Sequence, residues 1–255
     1  MQSWRKTECS VDFPKERRIA SFDNRFNPGG NRHPSGPLSG RLTQLSVSNM
    51  PTILAKDTPP LETFFLLTSL VVPRPIAWVS SVSSSGVRNL APYSHFNNCS
   101  TRPPITHFTS NGEKDSVRNI RETGEFVINV VSQNLRKQMR ITSAEWPSDV
   151  DEFEKAGLEG VASQFVRPER VKGARASIEC KLRDIIQMGD GYMVFGDVIC
   201  FHIDDDIWVN GRVDMSRLQP VGKLDGMNYA IVNEIERIEL PREVAEETGD
   251  MVGVR

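Results

Sequence analysis

The chain has 255 residues, enough for one large domain or two small ones around a sizeable core. With 38% hydrophobic and 25% charged residues it reads as a globular protein carrying a polar tail, and a net charge of −2 gives no general pull toward nucleic acid or anionic membrane. No run approaches the roughly 18 apolar residues of a spanning helix, and no apolar signal segment of about 7–15 residues opens the chain.

Residues 1–58 read as a disordered basic extension. The stretch FNPGGNRHPSGPLSG at 26–40 has almost no apolar anchor to offset an ordering cost of about 1–2 kcal/mol per residue. Its basic, Ser-bearing character suits a mitochondrial presequence, but its acids and turn-rich middle count against that, and Met50 stands just before the ordered part. A dispensable extension is the plainer expectation. Cys9, Cys99, Cys180 and Cys200 are too scattered for a zinc site or a disulfide framework, so a cytoplasmic protein is expected.

From Leu61 the pattern changes. FFLLTSLV (64–71) predicts a short helix, stopped by Pro73-Arg74-Pro75. IAWVSSV (76–82), the turn SSSG (83–86) and VRNL predict a hairpin, and YSHFNNC (93–99), ITHFTS (105–110) and EFVINVV (125–131) are further strand candidates. Between them, Asp115 is placed to cap a helix that ends at Gly124. Ser132 is placed to cap NLRKQM, and 149–157 reads as a third short helix ending at Gly157. In ASIECKLRDII (176–186), Ala176, Ile178, Cys180 and Leu182 alternate with Ser177, Glu179, Lys181 and Arg183, which predicts one buried face and one wet face. YMVFGDVICFHI (192–203) then pairs back across Gly189-Asp190-Gly191. Six or so antiparallel strands with short crossover helices predict a mainly β, Greek-key-like open or split barrel over residues 59–240, followed by a tail from 241 to 255.

Three segments carry candidate chemistry: 74–80 leading through the hairpin to 89–96, then 114–120, then 217–226 with Tyr229 beyond. Lys114 offers charge, Ser116 a hydroxyl and Asn119 an amide at a helix opening, a combination suited to a phosphate, although the same residues also suit an ordinary surface helix. Pro92 ends strand pairing and frees backbone groups near Asn89 and Ser94. Arg74, Trp78 and Ser80 share one face with Ile76, and Trp78 reads equally as core. His33, His95, His107 and His202 show no metal-ligand spacing. There is no GxSxG elbow and no GxGxxG after a strand, so neither a hydrolase triad nor a Rossmann domain is expected.

The order RPIAWVSS…NLAPYSHFN…KDSVRNIRETGEFVINVV…TSAEWP…DEFEKAGL, followed by GRVD and RLQPVGKLDG, closely resembles the flavin reductase-like, FMN-binding split-barrel family over about 65–230. The resemblance implies FMN held by Arg74, Trp78, Asn89, Ser94, Ser110, Lys114, Ser116 and Asn119, with Lys223 and Tyr229 as weaker candidates on the substrate side. Ser116 stands where that family usually has Thr, and Thr106 and His107 depart from its more apolar run. The implied activity passes hydride from NADH or NADPH through FMN to free flavin or a small-molecule acceptor, in a homodimer, with no catalytic acid or base, metal, nucleic acid or membrane involved. A non-catalytic FMN carrier or sensor, and an FMN-dependent oxygenase or tailoring enzyme, share the same pocket motifs.

Overall fold

The structure is a computed structural model that describes residues 51–248; of the extension 1–58 expected to be disordered, 1–50 lie outside the described residues, while 51–58 hold a short piece of regular structure. After a 3-10 turn at Ala55–Asp57, helix α1 (Pro60–Leu70) begins on a proline, whose missing N–H costs nothing in a first turn. Strands β1 (Ala77–Val82) and β2 (Arg88–Tyr93) form the predicted hairpin, with Gly86 at φ 91° in its turn. A second hairpin joins β3 (Phe96–Thr101) to β4 (Pro104–Asn111). Helix α2 (Asp115–Thr123) ends on Gly124, whose φ of 74° a side chain would strain, and leads into β5 (Glu125–Val130).

Short pieces follow. They are α3 (Arg136–Ile141), α4 (Glu152–Lys155) capped by Asp151, and a ribbon of β6 (Gly160–Val161) with β7 (Arg170–Val171). The two longest strands, β8 (Ala176–Met188) and β9 (Gly191–Ile203), pair along their length. Beyond them come β10 (Trp208–Val209) with β11 (Arg212–Val213), α5 (Met215–Leu218), and β12 (Val221–Lys223) with β13 (Tyr229–Ile231). The segment expected as a tail holds one further helix, α6 (Arg242–Thr248). No helix among the described residues is long and apolar enough to cross a membrane.

Seven strands form one antiparallel sheet in the order β2-β1-β5-β8-β9-β4-β3. Its two edge strands, β2 and β3, are consecutive in the chain and joined only by Ser94 and His95, a link that reaches about 11 Å at most. The sheet therefore has to curl until its edges approach, and the amide of Thr109 on β4 donates to the His95 carbonyl at 2.8 Å. The edges are joined by chain and not by a ladder, which makes the barrel split. Ala77, Val79, Phe108, Phe126, Ile128 and Val194 fill its interior. A second core of Trp78, Leu90, Met139 and Phe153 lies on the other side of β1. Strand β1 thus feeds both cores with alternate residues, which is why its first three residues, Ala77, Trp78 and Val79, are all apolar.

Four expectations are corrected. Tyr93 closes β2 and Phe96 opens β3, so 93–99 is not one strand, because the chain crosses from one barrel edge to the other at Ser94 and His95. Lys114 is the N-cap residue of α2, and Asp115, at the first helical position, pairs with Arg118 instead of capping. Ser132 precedes a 3-10 turn and its hydroxyl donates to Asn134 Oδ1, so it caps no amide. Finally, the wet face expected of β8 is dry at Ser177 and Glu179, which are buried while Lys181 and Arg183 are exposed. The 163–165 loop covers Glu179, whose carboxylate accepts from the amides of Gln164 and Phe165, both at 2.7 Å, and from His202 at 2.6 Å.

Candidate functional site

Helix α2 follows β4 by a tight turn and packs the face bearing Ser116, Val117, Asn119 and Ile120 against the barrel. The amides of Val117 and Arg118 donate back to the Lys114 carbonyl at 3.0 and 3.1 Å, so the amides of Asp115 and Ser116, with the positive end of the helix, are the ones left beside Lys114 and the Ser116 hydroxyl. A cavity of about 290 Å³ opens there, bounded by Asn89, Ala91, Pro92 and Tyr93 on β2, by 113–116 and Arg118, by the 142–146 loop and by Glu152. Lys114 pairs with Glu145 at 3.3 Å, but Glu145 is 87% exposed, and a pair so open to water holds by only about 0–1 kcal/mol. An incoming phosphate displaces it at little cost.

The floor of this cavity is a polar chain. Asn89 accepts from Ser116 Oγ at 2.8 Å and donates to Glu152 Oε1 at 3.2 Å, while Glu152 Oε2 accepts from the Leu90 amide at 3.1 Å. Glu152 is only 6% exposed, and burial, with Asp115 and Asp151 nearby, raises its pKa to about 7 against the pull of its backbone hydrogen bonds. A carboxyl poised near neutrality meets an anion partly as the uncharged acid, so it does not shut a phosphate out. Burial likewise raises the pKa of Tyr93, although the hydroxyls of Ser116 and Ser110 nearby pull it the other way.

Around Pro92 lie two more cavities, of about 230 and 220 Å³. Arg74 and Ser94 line the first, with Lys223 lining both and Tyr229 the second. Arg74 and Lys223 are backbone partners, Arg74 N–H to Lys223 O at 2.9 Å and the reverse bond at 2.8 Å. The Lys223 ammonium sits 4.7 Å from the Tyr229 ring centroid and donates to the carbonyls of the 224–228 turn.

The structure thus brings Arg74, Asn89, Ser94, Lys114, Ser116, Lys223 and Tyr229 to one set of adjoining cavities. Trp78, Ser110 and Asn119 reach none of the three. Trp78 is wholly buried, its indole donating to Thr142 Oγ1 at 2.9 Å. Ser110 donates to the Gly112 carbonyl at 2.8 Å, and Asn119 donates to Ser81 at 3.3 Å. These three support the wall from behind.

The match to the flavin reductase like domain spans residues 69–215, more than half of the chain. This chain belongs to the flavin reductase-like family. An uncharacterized protein of Aquifex aeolicus is 39% identical over 182 residues, which are 69% of this chain and 93% of that one. Among solved structures, nitrilotriacetate monooxygenase component B from Bacillus cereus is 31% identical at a TM-score of 0.72, covering 74% of this chain and 98% of its own. The 2-nitrobenzoate 2-nitroreductase of Pseudomonas fluorescens is 30% identical at a TM-score of 0.71, covering 75% and 97%.

For a member of this flavin-binding family, sequence reasoning missed Glu152, Tyr93 and the 142–146 loop as parts of the wall. TSAEWP and DEFEKAGL helped carry the resemblance, yet nothing in an acid on a one-turn helix says that it will be buried. A second grouping also escaped notice: Glu179, Cys200 and His202 bring their ligand-type atoms within 4.8 Å of one another across β8 and β9. The Glu179 carboxylate there is already engaged by three donors, and those hydrogen bonds hold its pKa below the usual carboxylate range although burial alone would raise it.

Proposed function

We propose that this flavin-related oxidoreductase binds FMN, its phosphate at the opening of α2 and its ring toward Pro92. The observation that carries the reading is the meeting of the Asp115 and Ser116 amides, Lys114 and the Ser116 hydroxyl at one end of a cavity with the Asn89–Glu152 chain in its floor. Lys114 supplies the countercharge and Ser116 the hydroxyl. Asn89 presents an amide to polar groups along the flavin, and Ser94 and the strand end at Pro92 offer hydroxyl and backbone groups to the ring. Bound there, FMN would supply the capacity to take up a hydride and to return electrons singly or in pairs. The dinucleotide FAD is the competing cofactor, and comparison of FMN with FAD affinity decides between them.

The electron donor in this reading is NADH or NADPH, and the acceptor is free flavin or a small organic molecule. The monooxygenase component and the nitroreductase to which the chain is similar are named for different reactions, in keeping with one pocket serving several acceptors. Anaerobic mixing of flavin-loaded protein with NADH or NADPH tests turnover. Rapid bleaching supports the oxidoreductase, while unchanged colour over many minutes leaves a carrier or sensor.

We also infer a cytoplasmic homodimer with one barrel, residues 59–240, per subunit. Cys99, Cys180 and Cys200 are free thiols, in keeping with a reducing compartment. Leu61, Phe65 and Leu70 of α1 and Ile199 and Phe201 of β9 lie exposed, as surfaces awaiting a partner do. Sedimentation at twice the mass of one chain supports the dimer, and a monomer at micromolar concentration refutes it.

A further inference from the structure

The cavity that holds Arg74 differs in charge from the one at α2. Four carboxylates, Glu113, Asp115, Glu145 and Glu152, stand in the wall of the α2 cavity. The Arg74 cavity contains Arg74, His95, Lys114 and Lys223 and no Asp or Glu at all. Arg74 is 6% exposed, and its guanidinium is held by the carbonyls of Thr68, Val71 and Leu224 and by Ser94 Oγ. Carbonyls satisfy its hydrogen bonds without cancelling its charge. An arginine this deeply buried ordinarily has a carboxylate partner.

Directly opposite Arg74 in the backbone pairing stands Lys223, a second cation that also rests on carbonyls. Like charges facing each other across a strand pair repel. The strain shows in the neighbours: burial first and Arg74 second lower the pKa of both Lys223 and His95. An anion placed among them relieves all three. Donors are at hand as well, because Ser94 accepts from Arg74 and so keeps its own hydroxyl proton to give, with the Asn111 amide beside it.

We propose that this basic cavity is the subsite for the anionic group, a carboxylate or a phosphate, of the second substrate. The inference rests on the reading that the flavin phosphate occupies the opening of α2 and engages Lys114, which leaves Arg74, Lys223 and His95 without an ion-paired carboxylate, Asp225 and Asp190 acting on Lys223 and His95 only through space. The anion comes either with the nicotinamide donor, as its phosphates, or with an acceptor bearing a carboxylate. In both cases the fixed charge of Arg74 and Lys223 selects an anion over a neutral molecule of the same shape.

Calorimetric titration of flavin-loaded protein with benzoate and with its neutral analogue benzamide tests this directly. Benzoate is expected to bind about tenfold more tightly or better, a difference of about 1.4 kcal/mol. Lys223→Met is expected to remove most of that preference and His95→Gln, which takes away a donor and not a full charge, a smaller part of it, while FMN affinity stays within about threefold, a change of less than about 0.7 kcal/mol. Arg74 is left in place, since its loss strands three carbonyls. Equal binding of the two probes, or variants that lose FMN in place of benzoate, overturns the proposal, the latter by assigning the cavity to the flavin phosphate. If the parent protein takes up no flavin, the same titration of the apoprotein still decides: a preference for benzoate upholds the subsite although the cofactor reading falls. Steady-state measurements on the variants then separate the sources, a raised KM for NADPH or NADH marking the donor and a raised KM for a carboxylate acceptor marking the acceptor.

Discussion

Lys114 and Ser116 have different standing in the fold, one exposed and one buried, yet both face the same cavity. Replacing both by Ala removes a charge and a hydroxyl from a phosphate site, about 1.5–3 kcal/mol in all. FMN affinity is expected to fall about 10- to 100-fold, with the melting temperature lowered by only about 2–4 °C for the lost Ser116–Asn89 hydrogen bond. Fluorescence titration beside thermal melting checks both halves. Glu152 yields a pH signature. Its folded pKa of about 7 lies above the ordinary carboxyl value of 4.5, so the folded state holds a proton that the unfolded state releases. Stability therefore falls as pH rises from about 4.5 to about 7 and is level beyond. Glu152→Gln, which imitates the protonated acid, is expected to gain on the order of 1–3 kcal/mol over the parent at pH 8 relative to pH 5. Denaturant melts at the two pH values measure it, and equal gains at both remove the raised pKa from the account. At this scale the sequence was legible to the extent that Lys114 and Ser116, singled out together at a helix opening, do line one cavity. It was mute where tertiary packing decides, since Trp78 and Asn119 look as suited to a ligand as to a core.

At the scale of the element, strand β9 runs close past the interior at Gly196. A Cβ there meets Phe126 Cζ at 2.4 Å and Cys180 Cβ at 3.0 Å, both fixed in the barrel interior. Gly196→Ala is expected to cost about 1–3 kcal/mol, read as a lowered urea midpoint with an unchanged slope. On β8, Glu179→Ala leaves the amides of Gln164 and Phe165 and the His202 ring without their acceptor. A loss of about 2–4 kcal/mol is expected, with faster amide exchange at 164 and 165 than elsewhere. Unchanged exchange there contradicts the role of Glu179 in holding that loop to the sheet. The β1–β2 and β8–β9 hairpins and the end of α2 were readable because alternation and turn glycines are local signals. The buried Glu179 was not, because its partners come from a loop about 15 residues away that no periodicity predicts.

For the whole molecule, the informative feature is the two-residue link between opposite sheet edges. It forces the curl that brings β2, the opening of α2 and the 223–229 hairpin around Pro92. Strand number and antiparallel class could be read ahead of the structure, but strand order could not, because β1 with β5 and β4 with β9 pair across long stretches of chain. Family likeness supplied the barrel where local pattern stopped. The central claim is that this barrel grips FMN at the start of α2. Titration of apoprotein with FMN, followed by absorbance and by quenching of flavin fluorescence, tests it most directly. The account predicts saturation at one FMN per chain, with the Lys114→Ala, Ser116→Ala protein needing about 10- to 100-fold more flavin to reach it. A folded protein that leaves added FMN free in solution, or a variant that binds as tightly as its parent, contradicts it.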